Sequence, residues 1–135
     1  MTSSASTTEH NRAIAEAMYK AGIAQDYEGF MAGLSDDLVI NEPDFLPYRG
    51  IFYKKDFLSL MEKINRFMDL SNITLHYLIA DSDRVAACLG IPDQSTGELT
   101  HFLEQCTFRD GKVVDIKLFY YNPCTMMAQP KLDES

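Results

Sequence analysis

A chain of 135 residues can enclose one hydrophobic core but not two, and 46% apolar residues, with eight Phe and seven Tyr, is the composition of a folded domain. A net charge of −8 repels phosphate backbones and anionic lipid, which argues against nucleic acid and membrane surfaces as partners. No apolar run reaches the length of a bilayer span.

Residues 1–8 are Ser/Thr-rich, without the basic residues or apolar centre of a secretion signal, and are expected to form a disordered tail. Ser6 and Glu9 have capping-box spacing, which predicts a helix from Thr7 or Thr8 with Ile14, Met18 and Ala21 on its apolar face. Asp26 is a good N-cap for a second, shorter helix carrying Phe30, Met31 and Leu34, closed by Gly33 and Ser35. Leu38, Val39 and Ile40 read as a short strand that must stop at Pro43, which has no N–H for a ladder. Phe57, Leu60, Met61, Ile64 and Phe67 form the stripe of a third helix over residues 54–68.

The remainder reads as strands over residues 72–80, 84–91, 98–108 and 113–122. In the first of these, Ile73, Leu75, Tyr77 and Ile79 alternate with Thr74, His76 and Leu78. The Asp110–Gly111 dipeptide favours a tight hairpin between the last two strands, and residues 128–135 are expected to be a loose tail. Helices followed by an antiparallel meander make an α+β domain. A twisted sheet curling around the long first helix would enclose a cavity.

Glu42 stands where the first strand leaves the sheet, with Phe45, Leu46 and Tyr48 nearby. In an apolar mouth its pKa would rise and it would become a proton acceptor near neutral pH; in an open loop it would be an ordinary solvated glutamate. Glu104 shares a strand face with Phe102, Cys106 and Phe108, which suits either a pocket or an exposed cross-strand ion pair. Ile116, Leu118, Tyr120 and Asn122 share a face of the last strand, so Glu42, Glu104 and Asn122 are candidates to converge. His76 and His101 are lone strand histidines, and no His/Asp/Glu spacing points to a metal. No nucleotide-binding or nucleophile-elbow motif is present, so no cofactor is expected. The odd count of Cys88, Cys106 and Cys124, without Cys-x-x-Cys spacing, predicts free thiols and a cytoplasmic location.

Several stretches resemble the NTF2-like superfamily, which includes the SnoaL-like polyketide cyclases and the ketosteroid isomerases. They are the break at Ala21-Gly22-Ile23-Ala24-Gln25-Asp26, the run Leu34-Ser35-Asp36-Asp37-Leu38-Val39-Ile40-Asn41-Glu42-Pro43, the Pro47-Tyr48-Arg49-Gly50 segment and the late hairpin Phe108-Arg109-Asp110-Gly111-Lys112-Val113-Val114. The resemblance covers a single domain, residues 9–127. It implies a cone of three N-terminal helices in a curved, mostly antiparallel sheet, with a pocket at one end and homodimers through the outer sheet.

The resemblance also carries chemistry. The isomerases' base position falls on Glu42 and their protonated-acid position on Glu104. Their oxyanion tyrosine falls on Met18, one residue from Tyr19. The acid that many cyclases carry late in the last strand falls on Asn122. Substrate-contacting walls are then expected from Met18, Tyr19, Tyr48, Phe57, Leu58, Cys88, Phe102, Ile116, Leu118 and Tyr120. The implied activity is a cofactor-independent isomerase or cyclase acting on a small apolar carbonyl compound, polyketide- or steroid-like, with Glu42 as base and Glu104 as hydrogen-bond donor. Epoxide opening by activated water, and a non-catalytic module that binds a small ligand or dimerises, are alternatives within such a family.

Overall fold

The computed structural model describes residues 4–123 and 127 of the chain. The expected C-terminal tail, Cys124 and the first three residues lie outside that range. The elements are α1 (Ser4–Ile23), α2 (Tyr27–Met31), β1 (Leu34–Glu42), β2 (Gly50–Tyr53), α3 (Phe57–Phe67), β3 (Thr74–Asp81), β4 (Arg84–Pro92), β5 (Leu99–Arg109) and β6 (Lys112–Tyr121), with short 3-10 turns at Lys54–Asp56 and Leu70–Asn72.

One six-stranded sheet runs in the order β2-β1-β6-β5-β4-β3. β1 pairs with β6 in parallel, and every other pairing is antiparallel. The first and last strands therefore meet inside the sheet, and β2 and β3 form its edges. At the β5–β6 turn Asp110 and Gly111 both have positive φ, 53° and 76°, as the tight right-twisting hairpin requires.

The helices pack on one face. Phe30 of α2 stacks on Phe57 of α3 with centroids 5.2 Å apart, joining the two short helices. The N-terminal half of α1 is tied to the β3–β4 turn: Ser82 N donates to Thr8 Oγ1 at 2.7 Å, and Asn11 Nδ2 donates to Ser82 O at 2.9 Å. Inward side chains of the sheet, Leu38, Ile40, Val85, Leu89, Cys106 and Ile116 among them, complete the core.

Several expectations change in detail. α1 begins at Ser4, ahead of the expected start at Thr7 or Thr8, so helical residues occupy part of the expected tail. Asp26 does cap α2, its Oδ1 accepting from Gly29 N at 3.0 Å. Leu34 belongs to β1, not to the second helix. β2 was not expected, since a four-residue edge strand has too few positions to show a period.

The face assignment in β3 is also corrected. Leu75 pairs with Leu89 and Tyr77 with Cys88, which leaves His76 as an extra residue in a bulge. Beyond the bulge the parity flips: Leu78 and Ala80 pack on the core, while Tyr77 and Ile79 are exposed.

Candidate active site

Glu42 is the last residue of β1, with Pro43 directly behind it, and the side chain is only 7% exposed. Asn41 pairs with Lys117, so Glu42 lies level with Leu118 on the neighbouring strand. On the other side of β6, Leu118 pairs with Glu104 of β5. One transverse row of the sheet thus reads Glu42, Leu118, Glu104, all on the concave face. With strands about 4.8 Å apart, two carboxyls leaning inward across one leucine share a single space.

That space is a cavity of about 90 Å³, enclosed by the sheet, the C-terminal part of α1, and α3. It has room for a small ligand or for the end of a longer one. Phe30, Ile40, Phe57, Ile64, Leu89 and Ile116 supply much of its apolar wall. Among the described residues that line it, none is cationic.

The partners of the two acids are phenols. Tyr19 Oη donates to Glu104 Oε1 at 2.7 Å and lies 3.4 Å from Cys106 Sγ. Tyr120 Oη donates to Glu42 Oε1 over a longer 3.4 Å, and Tyr48 Oη lies 3.5 Å from Tyr120 Oη. The Tyr120 ring stacks on Phe102, with centroids 5.2 Å apart, which fixes its hydroxyl over the cavity.

Burial governs the ionisation of both acids. It lifts the Glu104 carboxyl to about 7, with the short Tyr19 hydrogen bond pulling the other way. Glu42 is raised well above the carboxylate range, first by burial and then by the Glu104 charge; its weak Tyr120 contact offsets little of that. Glu104 is half-buried and lines the cavity. Near neutral pH the pair therefore carries at least one proton, and Glu104 is the better-supported carboxylate. Burial also pushes the Cys106 thiol up to about 12, so it is an inert part of the wall.

Of the residues expected at the site, Tyr19, Glu42, Tyr48, Phe57, Phe102, Glu104, Ile116, Leu118 and Tyr120 line the cavity. The other four lie elsewhere. Met18 points beneath the turn at Gly33, where a Cβ would run into its Sδ, and Tyr19 occupies the cavity wall in its place. One residue along a helix is a turn of about 100°, so only one of the two can face inward.

Leu58 is 54% exposed and lines an outer polar groove shared with Asn65, Asp69 and Gln94. Cys88 alternates with the inward Ala87 and Leu89 and lies on the outer face. Asn122 is exposed, lies beyond the end of β6 and has φ 51°, so the alternation that would have turned it inward has already ended. Sequence reasoning missed Leu89 and Ile91, although their alternation along β4 was a usable signal, and it missed Tyr27, which carries none.

No family model and no curated protein matches this sequence. Solved structures do match its fold. An NTF2-like protein from Burkholderia pseudomallei superposes with TM-score 0.74 at 14% identity, over 89% of this chain and 98% of that one. Bal32a, from a soil-derived mobile gene cassette, gives 0.76 at 13% identity, over 88% and 95%. AclR from Streptomyces galilaeus, a proposed hydroxylase, gives 0.66 at 23% identity, over 84% and 90%. The α+β cone of this chain is an NTF2-like fold.

Proposed function

We propose that the cavity is a cofactor-independent active site that moves a proton on a neutral, apolar carbonyl compound. The observation that carries this reading is the placement of Glu42 and Glu104 in one apolar enclosure, with phenols for partners and no cation on the described wall.

The roles follow from the hydrogen bonds, and they reverse those implied by the family resemblance. The Glu104 carboxylate, supported by Tyr19, takes a proton from the carbon next to the carbonyl. The Glu42 carboxylic acid donates a hydrogen bond to the carbonyl oxygen as negative charge develops there. Return of the proton to another carbon is an isomerisation. Attack of the enolate carbon on a second carbonyl of the same molecule is an aldol ring closure. Both share the first step, and the apolar wall suits both. Water-driven epoxide opening through an acid–Arg–acid set fits less well, because no Arg is among the described lining residues.

The test is exchange of α-hydrogens of small cyclic ketones, 2-tetralone first, in deuterated buffer, followed by NMR. Wild type should exchange faster than buffer, with a rate that rises with pH through about 7 as Glu104 ionises and falls once Glu42 loses its proton. Glu104→Gln should lose about 10²–10⁴-fold. Glu42→Gln keeps a donor and should lose less. Full exchange by Glu104→Gln would remove that residue from the mechanism.

A second copy of the chain is the proposed occupant of the outer sheet face, where Tyr77, Leu99, Phe119 and Tyr121 are exposed together.

A further inference from the structure

The outer face also carries an arrangement that the proton chemistry does not use. His76 of β3 and His101 of β5 are separated by β4, two strands apart, yet their ring centroids are 5.2 Å from each other, with planes tilted by 37°. Two features of the backbone bring them together. The bulge at His76 adds an outward residue to β3 and re-aims that side chain. Gly90, which pairs with His101 and Thr74, has no side chain to keep the His76 ring away: a Cβ there would meet His76 Nε2 at 2.9 Å, and Leu99 Cδ1 and Thr74 Oγ1 at 3.3 Å. A bulge and a strand glycine each weaken a sheet, and here both serve to bring one imidazole over the glycine and close to the other.

The separation has chemical meaning. Metal–nitrogen bonds of about 2.0–2.1 Å, plus roughly 1.1–1.2 Å from nitrogen to ring centre, place two imidazole centroids on one tetrahedral ion about 5.2 Å apart. Both histidines are exposed in the single chain, beside Tyr77 and opposite Tyr121 on the face proposed to receive a second copy, so ion binding and pairing compete for this patch.

We propose that His76 and His101 form a chelating site, over Gly90, for a divalent transition-metal ion of the kind imidazole prefers, such as Zn²⁺, Ni²⁺ or Cu²⁺. Both ligands come from one chain, so the site needs no second copy. Among the described residues no three His, Cys, Asp or Glu gather into one group, so water fills the remaining positions and the site is an exchangeable one. Its distance from the cavity, across the thickness of the sheet, makes it independent of Glu42 and Glu104.

The test is titration of the full chain with Cu²⁺, read by the d–d absorption band and by nitrogen coupling in the EPR spectrum, with Ni²⁺ broadening of the imidazole NMR signals as a second measurement. One ion per chain with two coordinated nitrogens is expected. His76→Ala and His101→Ala should each weaken binding at least about tenfold, a loss already typical of groups one shell further from a metal. His10→Ala, a change in the α1 histidine, should leave binding as in wild type. The proposal is overturned if both strand variants bind as wild type does, if the loss follows His10 instead, or if Ni²⁺ leaves the His76 and His101 signals sharp.

Discussion

The two cavity acids set a pH dependence of folding as well as of the proposed chemistry. The Glu104 carboxyl titrates near 4.5 in the open chain and at about 7 in the folded one. Between those values the folded state holds a proton that the unfolded state has released. The contribution to stability is therefore complete below the unfolded pKa and is lost as pH rises through the folded one. A difference of this size corresponds to about 3 kcal/mol. Glu42 is displaced in the same direction and extends the loss to higher pH. Glu104→Gln should remove most of the first part: urea unfolding at pH 8 should find the variant stabilised relative to wild type, with the gap closing toward pH 5. A gap that does not change with pH would mean that Glu104 is not buried as described. Phe102 and Cys106 flank Glu104 on a period of two, which left a pocket and an exposed face both open in the sequence; the inward choice was not legible there. Which carboxyl receives the phenol was not legible either, because it depends on Tyr19 reaching Glu104 at 2.7 Å across 85 residues of sequence.

At the scale of elements, periodicity served well where elements are long and regular and failed where one residue is inserted or a segment is short. α3 and the β5–β6 hairpin were legible from their stripe and their Asp-Gly turn. The outward faces of Tyr77 and Ile79 were not, because the bulge at His76 exists only relative to β4 and leaves no mark in a strand read alone. The convergence predicted for Asn122 failed at the same level: β6 ends at Tyr121. A related constraint joins α1 to the turn before β1. Gly33 packs directly on Met18, which is 2% exposed. Gly33→Ala should destabilise the fold by about 1–3 kcal/mol, the usual range for forcing an extra carbon into a packed contact. Thermal melts would check this, and an unchanged midpoint would show that α1 can shift freely there.

For the molecule as a whole, the exposed outer face carries the pairing proposal. Phe119 is 53% exposed and Tyr121 78%, on the strand at the middle of the sheet, where a second sheet would lie flattest. Light scattering on the wild type should give twice the chain mass, and Phe119→Lys should give a monomer with its fold intact by circular dichroism. A wild type that runs as a monomer at high concentration would remove the pairing proposal without touching the cavity. The overall architecture was the most legible feature of all, since helices followed by a meander leave few ways to cover one apolar sheet face.

The parallel pairing of β1 with β6 has a consequence for how the protein is made. Glu42 and Glu104 are neighbours only through Leu118, which comes from the final strand. A nascent chain that has emerged from the ribosome as far as β5 already carries both acids, yet they have no common strand to sit beside. The proposed site should therefore form in one step, once β6 has been made and has joined the sheet, and a chain cut before Lys112 should lack it however much of its helical layer has formed.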